Sequence, residues 1–363
     1  MDALQSTLSA HAAGSLALGG ALIGLVFGWV VYQSNFCVMG SLSDIVNLGD
    51  WRRLRAWILA ALVALVATQT LHAIGVVPLE RAMYLTPRLN WFGNVAGGLI
   101  FGFGMVLAGG CPTRNLVRFG GGDLRALVVL LALAITGMAT LGGIIGPLRD
   151  GIEQLTAIDL RRFGLATQGV GEMVAKSNLA ATAVMSLVLT VALATAGLVF
   201  VFCDAGFRGS SRHVASGVAV GLLVAAGWAL TGLVYDEMAV APVAPISLTF
   251  IRPMGDTLDW LQRFTATPWP GFGVATVIGT GAGALLAALR LKRFRVLGFA
   301  NVADLKANLI GASMMGLGGA MATGCTIGHG VTGVSTLAFG SFLSVAALIE
   351  GGRRGLHYLE RTV

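Results

Sequence analysis

Charge is what this chain has least of. Asp, Glu, Lys and Arg make up 11% of its 363 residues, against about 25% in ordinary soluble domains. Hydrophobic residues make up 56% and the mean hydropathy is +0.81. So few charged groups cannot cover the surface of a water-soluble globule, so the chain belongs in a bilayer. Carboxylates are scarcest of all, 17 Asp plus Glu with hardly any inside the apolar runs. That argues against a metal-cation or proton-coupled pathway, which places Asp or Glu within the membrane. The four cysteines form no Cys-x-x-Cys pair, which speaks against a thioredoxin-like centre and a clustered zinc site. No P-loop lysine follows the glycine-rich runs. The basic residues lack interleaved aromatics, so nucleic acid is a poor explanation of the net charge of +7. The N-terminus carries no basic patch of a secretory signal, and its apolar run to Val31 is expected to be a retained first helix.

Glycine, by contrast, is abundant at 52 residues. The stripes Gly20, Gly24 and Gly28, Gly98 and Gly102, Gly217 and Gly221, and Gly279 and Gly283 read as seams where helices approach closely in lipid. Apolar stretches of about 20 residues cross a bilayer as helices. Here they predict spans near 14–32, 56–76, 92–109, 125–146, 178–202, 214–234, 271–290, 307–322 and 335–350. The expected fold is all-α: a polytopic membrane protein with internal duplication, about nine or more helices, some re-entrant or half-length and carrying cysteine loops.

The duplication rests on two glycine ladders that overlay without gaps. Gly110 pairs with Gly324, Ala108 with Ala322, Gly104 with Gly318, Gly102 with Gly316, Gly97 with Gly311 and Asn94 with Asn308, ending at Cys111 and Cys325. Phe36-Cys37 with Gly40 is echoed by Phe202-Cys203 with Gly206. These matches predict a first half at 1–146, a connector at 147–177 lying along the surface, and a second half at 178–363 with an inserted loop at 235–270. Whether the halves are parallel or inverted stays open. The positive-inside rule assigns the clusters Arg52, Arg53, Arg55 and Arg290, Lys292, Arg293, Arg295 to the cytoplasm, and the acidic stretch from Asp236 to Arg263 to the outside.

Broken backbone at membrane depth is tolerated only where protein or a water-lined cavity satisfies its polar groups, which makes such breaks the default location of a transport site. Each cysteine ends an apolar stretch at such a place. A neutral thiol is a weak, soft hydrogen donor, and a helix N-terminus beside it adds N–H groups and partial positive charge. That pairing suits a sulfur-bearing anion. The candidate substrate-binding residues are Cys37, Cys111, Cys325 and Cys203, with Gly110 and Gly324 keeping the turns tight. Arg114 is weighed as an anion guide against a cytoplasmic anchor. Asn115 and His329, at equivalent places, bind ligand or satisfy broken backbone. No cofactor and no metal is expected.

The combination Asn35-Phe36-Cys37, Gly109-Gly110-Cys111-Pro112-Thr113 and Gly324-Cys325-Thr326-Ile327-Gly328 resembles the YeeE/YedE sulfur-transport family of bacterial inner membranes, over most of the chain outside 147–176 and 235–270. The resemblance implies uptake of thiosulfate through a compact pseudo-symmetric protein, the anion being passed between thiols by S–H hydrogen bonds. It implies essential thiols at Cys37, Cys111 and Cys325, a place in the inner membrane, and a small cytoplasmic sulfur-carrier partner resembling the TusA type. Arg114 stands where the second copy has Gly328, which leaves open which sulfur or selenium anion is carried. Two other readings remain: a membrane sulfurtransferase or thiol redox enzyme forming a persulfide, and a soft-metal permease using Cys and His329.

Overall fold

The computed structural model describes residues 11–175, 179–239 and 242–362. Helices dominate, and seven helical segments are long and apolar enough to cross a membrane. Helix α1 (Ala12–Ser34) leads through Cys37 into the short α2 (Val38–Leu48), and α3 (Arg52–Ala73) returns. A π-turn at Gly93–Gly97 opens α4 (Gly98–Leu107), which breaks at Cys111 and resumes as α5 (Pro112–Gly120), followed by α6 (Leu124–Leu141). The connector holds α7 (Gly146–Thr156) and α8 (Val170–Ala175). Helix α9 (Leu179–Phe202) and the single turn α10 (Ala205–Arg208) lead into α11 (Ser211–Val234), α12 (Arg252–Gln262) and α13 (Phe272–Arg290). Helix α14 (Val302–Ala322) breaks at Cys325 into a π-turn at Gly328–Gly333, and α15 (Phe339–Thr362) closes the fold.

Glycines set how these helices meet. A Cβ on Gly97 would strike Gly318 O and one on Gly318 would strike Gly97 O, each at 2.5 Å; Gly104 and Gly311 exclude one another in the same reciprocal way. Residues early in α4 and its opening π-turn therefore face residues late in α14, so the two helices run antiparallel. Elsewhere Gly20 meets Phe272, Gly24 meets Thr276 and Gly28 meets Thr280, which makes α1 parallel to α13. Gly217 on Ala56 and Gly221 on Ala60 make α11 parallel to α3 by the same kind of ladder. Helices α1 and α11 are antiparallel, since Gly19 meets Leu230 at one end and Arg212 bonds Gln33 O at the other. Gly102 against Leu348 and Gly352 is mirrored by Gly316 against Leu133 and Gly137. These helix pairs thus each have a counterpart with the chain direction reversed, the signature of inverted repeats.

This packing departs from the sequence expectation in one respect. The fixed offset that superposes the Gly-Cys turns also superposes α2 (Val38–Leu48) on α12 (Arg252–Gln262), both of 11 residues, and Phe36 on Phe250. The mirror image of α1 is therefore α11, and the position equivalent to Cys37 is Ile251. The match of Phe36-Cys37 to Phe202-Cys203 was a local likeness only. Helix α9 lies on the rim against α3, exposing Val184, Leu187, Val188, Val191 and Val199. The stretch 235–270 is likewise not all outward loop. From Ser247 to Ile251 it is buried, held by bonds from Thr332 Oγ1 to Leu248 O and from Ser247 Oγ to Val224 O, and Phe250 stacks on Phe27 at 5.5 Å.

Candidate functional site

The two Gly-Cys turns are the same backbone built twice. Helix α4 ends with Gly110 N bonded to Met105 O (2.8 Å) and Gly109 N to Val106 O (3.1 Å). Helix α14 ends with Gly324 N bonded to Gly319 O (2.9 Å) and Thr323 N to Ala320 O (3.3 Å). Both are Schellman ends, which need a left-handed residue just past the helix. The first copy supplies Gly109 at φ 67°, whereas the second places Thr323 there at φ 62°. After each turn the cysteine starts a new helical segment, with Asn115 N bonded to Cys111 O and His329 N to Cys325 O. The exposed carbonyls left by the breaks are satisfied by the side chains of those same residues. Asn115 Nδ2 donates to Gly110 O (2.8 Å) and Cys111 O (3.2 Å), and His329 Nε2 donates to Ala322 O (2.7 Å). His329 Nδ1 meets Ser341 Oγ at 3.2 Å. Asn115 and His329 thus act on the backbone, one of the two roles open to them from sequence.

Three thiols are buried and the fourth is exposed. Cys37, Cys111 and Cys325 are all buried and reduced. The thiols of Cys37 and Cys111 adjoin one another, and the Thr326 side chain reaches Cys111 from the other copy. Cys325 lies beside Thr249, the Phe250 backbone and Tyr84. Backbone N–H groups bond to two of the sulfurs, Gly40 N to Cys37 Sγ at 3.4 Å and Gly328 N to Cys325 Sγ at 3.3 Å. A sulfur that accepts at its lone pair keeps its S–H proton for another acceptor. Cys203 is exposed at the rim, its Sγ 3.2 Å from Phe200 O, with Arg55 Nη1 3.3 Å away. It takes no part in the cluster.

Small residues are what let this centre close. A Cβ on Gly110 would press on Arg114, on Gly324 on the His329 ring, on Gly328 on Thr249 Oγ1 at 2.6 Å, and on Gly330 on Trp57. Around the thiols several buried polar atoms have no hydrogen-bond partner: Tyr84 Oη, Thr326 Oγ1, Thr113 Oγ1, Trp57 Nε1 and Asn115 Oδ1. Such atoms cost free energy when left unpaired. Tyr84, Thr249 and Trp57 carried no motif that sequence reading could catch; Thr326 lay inside the quoted Cys325 motif.

Each end of the centre has its own approach. On the side of the arginine clusters, Arg114 Nη1 donates to Asn35 Oδ1 (2.9 Å) near Cys37, and Arg53 pairs with Asp44 at 3.2 Å. The acids here are tied up: the Arg52 side chain holds Asp50 at about 2. Partial burial works the other way at Asp123, yet hydrogen bonds from Arg125 and Arg118 hold its carboxyl below the ordinary range. Arg118 is therefore an ion-pair residue, and Arg208 donates to Phe202 O (2.6 Å) outside the route. On the opposite side a cavity of about 220 Å³ is lined by Tyr84, Arg88, Asn90, Asn94, Thr323 and His329, among others. The Tyr84 and His329 rings meet edge to face at 5.7 Å at its floor. Among the described residues no three His, Cys, Asp or Glu side chains come together as metal ligands would.

Residues 33–353 match the family described as sulphur transport. The chain is 26% identical over 362 residues to the thiosulfate transporter TsuA of Escherichia coli, covering 93% of each. It is 25% identical to the thiosulfate transporter TsuA of Spirochaeta thermophila, covering 92% of this chain and 96% of the relative. A 99-residue stretch is 32% identical to the probable transporter YedE of E. coli.

Proposed function

This chain belongs to the sulphur-transport family, a multi-pass membrane transporter rather than an enzyme, and on that footing we propose that it carries thiosulfate by passing the anion between Cys325, Cys111 and Cys37. The observation that carries the reading is that three buried thiols sit at breaks in the helices, Cys37 beside Cys111 and Cys325 one residue from the Thr326 that reaches Cys111, two of them with backbone N–H groups on their sulfurs. Thiosulfate offers a polarizable terminal sulfur for S–H donors and oxygens for N–H, O–H and guanidinium donors. The hydroxyls of Tyr84, beside Cys325, and of Thr326, beside Cys111, supply two such donors. No covalent bond to sulfur is needed at any point. The anion stays intact and exchanges one set of hydrogen bonds for the next.

The basic end, with Arg52, Arg53, Arg55, Arg290, Lys292, Arg293 and Arg295, is the cytoplasmic end of an inner-membrane protein under the positive-inside rule. The cavity at Arg88 then opens outward. The same basic end offers a docking face for a small sulfur-carrier protein of the TusA type. In place of the expected halves 1–146 and 178–363, the repeat units we propose are 12–141 and 211–362, with α9 outside both on the rim against α3. The test is growth on thiosulfate as the sole sulfur source in cells lacking other uptake routes. Cys111→Ala and Cys325→Ala should each abolish growth without lowering membrane abundance. Normal growth of both variants would overturn the proposal, and a persulfide found on either cysteine by intact-protein mass spectrometry would favour a sulfurtransferase.

A further inference from the structure

The rim helix α9 and helix α11 both lean on α3 and leave a groove between them. Gly197 of α9 meets Leu62, while Gly217 and Gly221 of α11 meet Ala56 and Ala60, so the two helices share one support. The groove, about 700 Å³ and open to lipid, is walled by Phe202, Val214, Ala215, Val218, Ala219 and Leu222. Its α11 residues recur at three- and four-residue spacing on one helix face, and Ala215 and Ala219 give it depth. Arg208 and Ser211 close one end. That end is level with the start of α3, where Arg52 and Arg53 stand. Phe207, wholly buried, packs edge to face on Phe202 at 5.8 Å and fixes the turn that presents Arg208. Arg208 Nη1 donates to Phe202 O (2.6 Å) and Cys203 O (3.4 Å), and Arg212 donates to Gln33 O; neither forms an ion pair among the described residues. The nearby acids are engaged elsewhere, Asp204 capping α10 at Phe207 N (2.8 Å) and Asp50 pairing with Arg52. No side chain caps the first turn of α11, because Ser210 Oγ is taken by His213 Nδ1 at 2.7 Å.

We propose that this groove binds an anionic phospholipid from the leaflet on the side of the arginine clusters. One acyl chain lies along the apolar stripe of α11, and the phosphate meets Arg208 with Arg212 beside it. Apolar walls alone would accept any lipid. The charge at the rim makes the choice, because guanidinium groups without carboxylate partners gain from a headgroup of net negative charge, whereas a zwitterionic headgroup brings an ammonium that they repel. Seated there, the lipid fills the space between α9 and α11 and pins the rim helix to the repeat core. The inference goes beyond the transport reading and stands whichever anion the central thiols carry.

The experiment is native mass spectrometry of the full chain in detergent, titrated with phosphatidylglycerol or with phosphatidylethanolamine of the same acyl chains, alongside thermal unfolding with each lipid. The wild type should retain phosphatidylglycerol at a concentration about fivefold lower than phosphatidylethanolamine, and the anionic lipid should raise its melting temperature more. Arg208→Gln, a change at an exposed position outside the thiol route, should bring the two lipids level. Ala219→Phe, which fills the groove, should lose the tight adduct of both while the chain still unfolds cooperatively on heating. Equal retention of the two lipids by the wild type, or a preference that survives Arg208→Gln, would overturn the site. A wild-type dimer that Ala219→Phe dissolves would overturn it too, since the groove would then hold a second copy of the chain.

Discussion

The turn at Cys111 and the turn at Cys325 share a backbone, bond for bond, yet their thiols keep different company. Cys111 faces a second thiol of its own copy, Cys37, and arginines stand behind it. Cys325 faces hydroxyls, those of Tyr84 and Thr249, because the position equivalent to Cys37 in the second copy is Ile251. Duplication therefore fixed where donors can sit, and divergence of the neighbours set how hard or soft each station is. A soft pair near the arginine clusters and a hydroxyl-rich turn near the cavity at Arg88 suit the proposed anion, with one sulfur end and one oxygen end.

The largest effect should come from removing what the turns share. Gly110→Val and Gly324→Val each drive a side chain into Arg114 or the His329 ring, and both should abolish uptake, read as labelled thiosulfate in cells. Activity retained by one but not the other would show that the two turns have unequal duties. Next comes what they do not share. Mild oxidation should join Cys37 to Cys111 and stop uptake reversibly, because those two thiols adjoin; a disulfide linking any other pair of cysteines, mapped by peptide mass spectrometry, would place the sensitive thiol elsewhere. Tyr84→Phe should raise the half-saturation about tenfold by deleting one hydroxyl donor to a charged ligand, while Thr249→Val, beside the same thiol, should act more weakly. The smallest effect belongs to Thr323→Gly. It relieves a left-handed threonine, a conformation that costs roughly 1–2 kcal/mol, and so should raise the melting temperature by a few degrees with uptake within about twofold.

Much of the fold was legible because lipid leaves few alternatives to an apolar helix. The expected spans near 14–32, 56–76 and 125–146 correspond to Ala12–Ser34, Arg52–Ala73 and Leu124–Leu141. The Gly-Cys ladder held because close backbone approach permits only glycine at Gly97, Gly104, Gly311 and Gly318. The equivalence of α2 with α12 escaped notice because a re-entrant helix is held by its neighbours and shows no apolar run; Arg252 to Gln262 reads as an acidic loop in isolation. The hydroxyls of Tyr84 and Thr249 escaped for a related reason. They lie on irregular segments brought in by tertiary packing, and nothing in their local sequence distinguishes them from surface loops. Cys203 shares its preceding phenylalanine with Cys37 but not its burial, because a helix end reads alike in sequence whether it lies on the rim or in the core.

The most direct test compares the four cysteines in one assay: labelled thiosulfate uptake into proteoliposomes carrying Cys37→Ala, Cys111→Ala, Cys325→Ala or Cys203→Ala, at matched protein content. The account predicts that uptake falls to background for the three buried thiols and stays within about twofold of wild type for Cys203, since the one exposed thiol donates nothing to the anion. Uptake that survives loss of Cys111 and Cys325, or that collapses with Cys203, would contradict a route built on the central thiols.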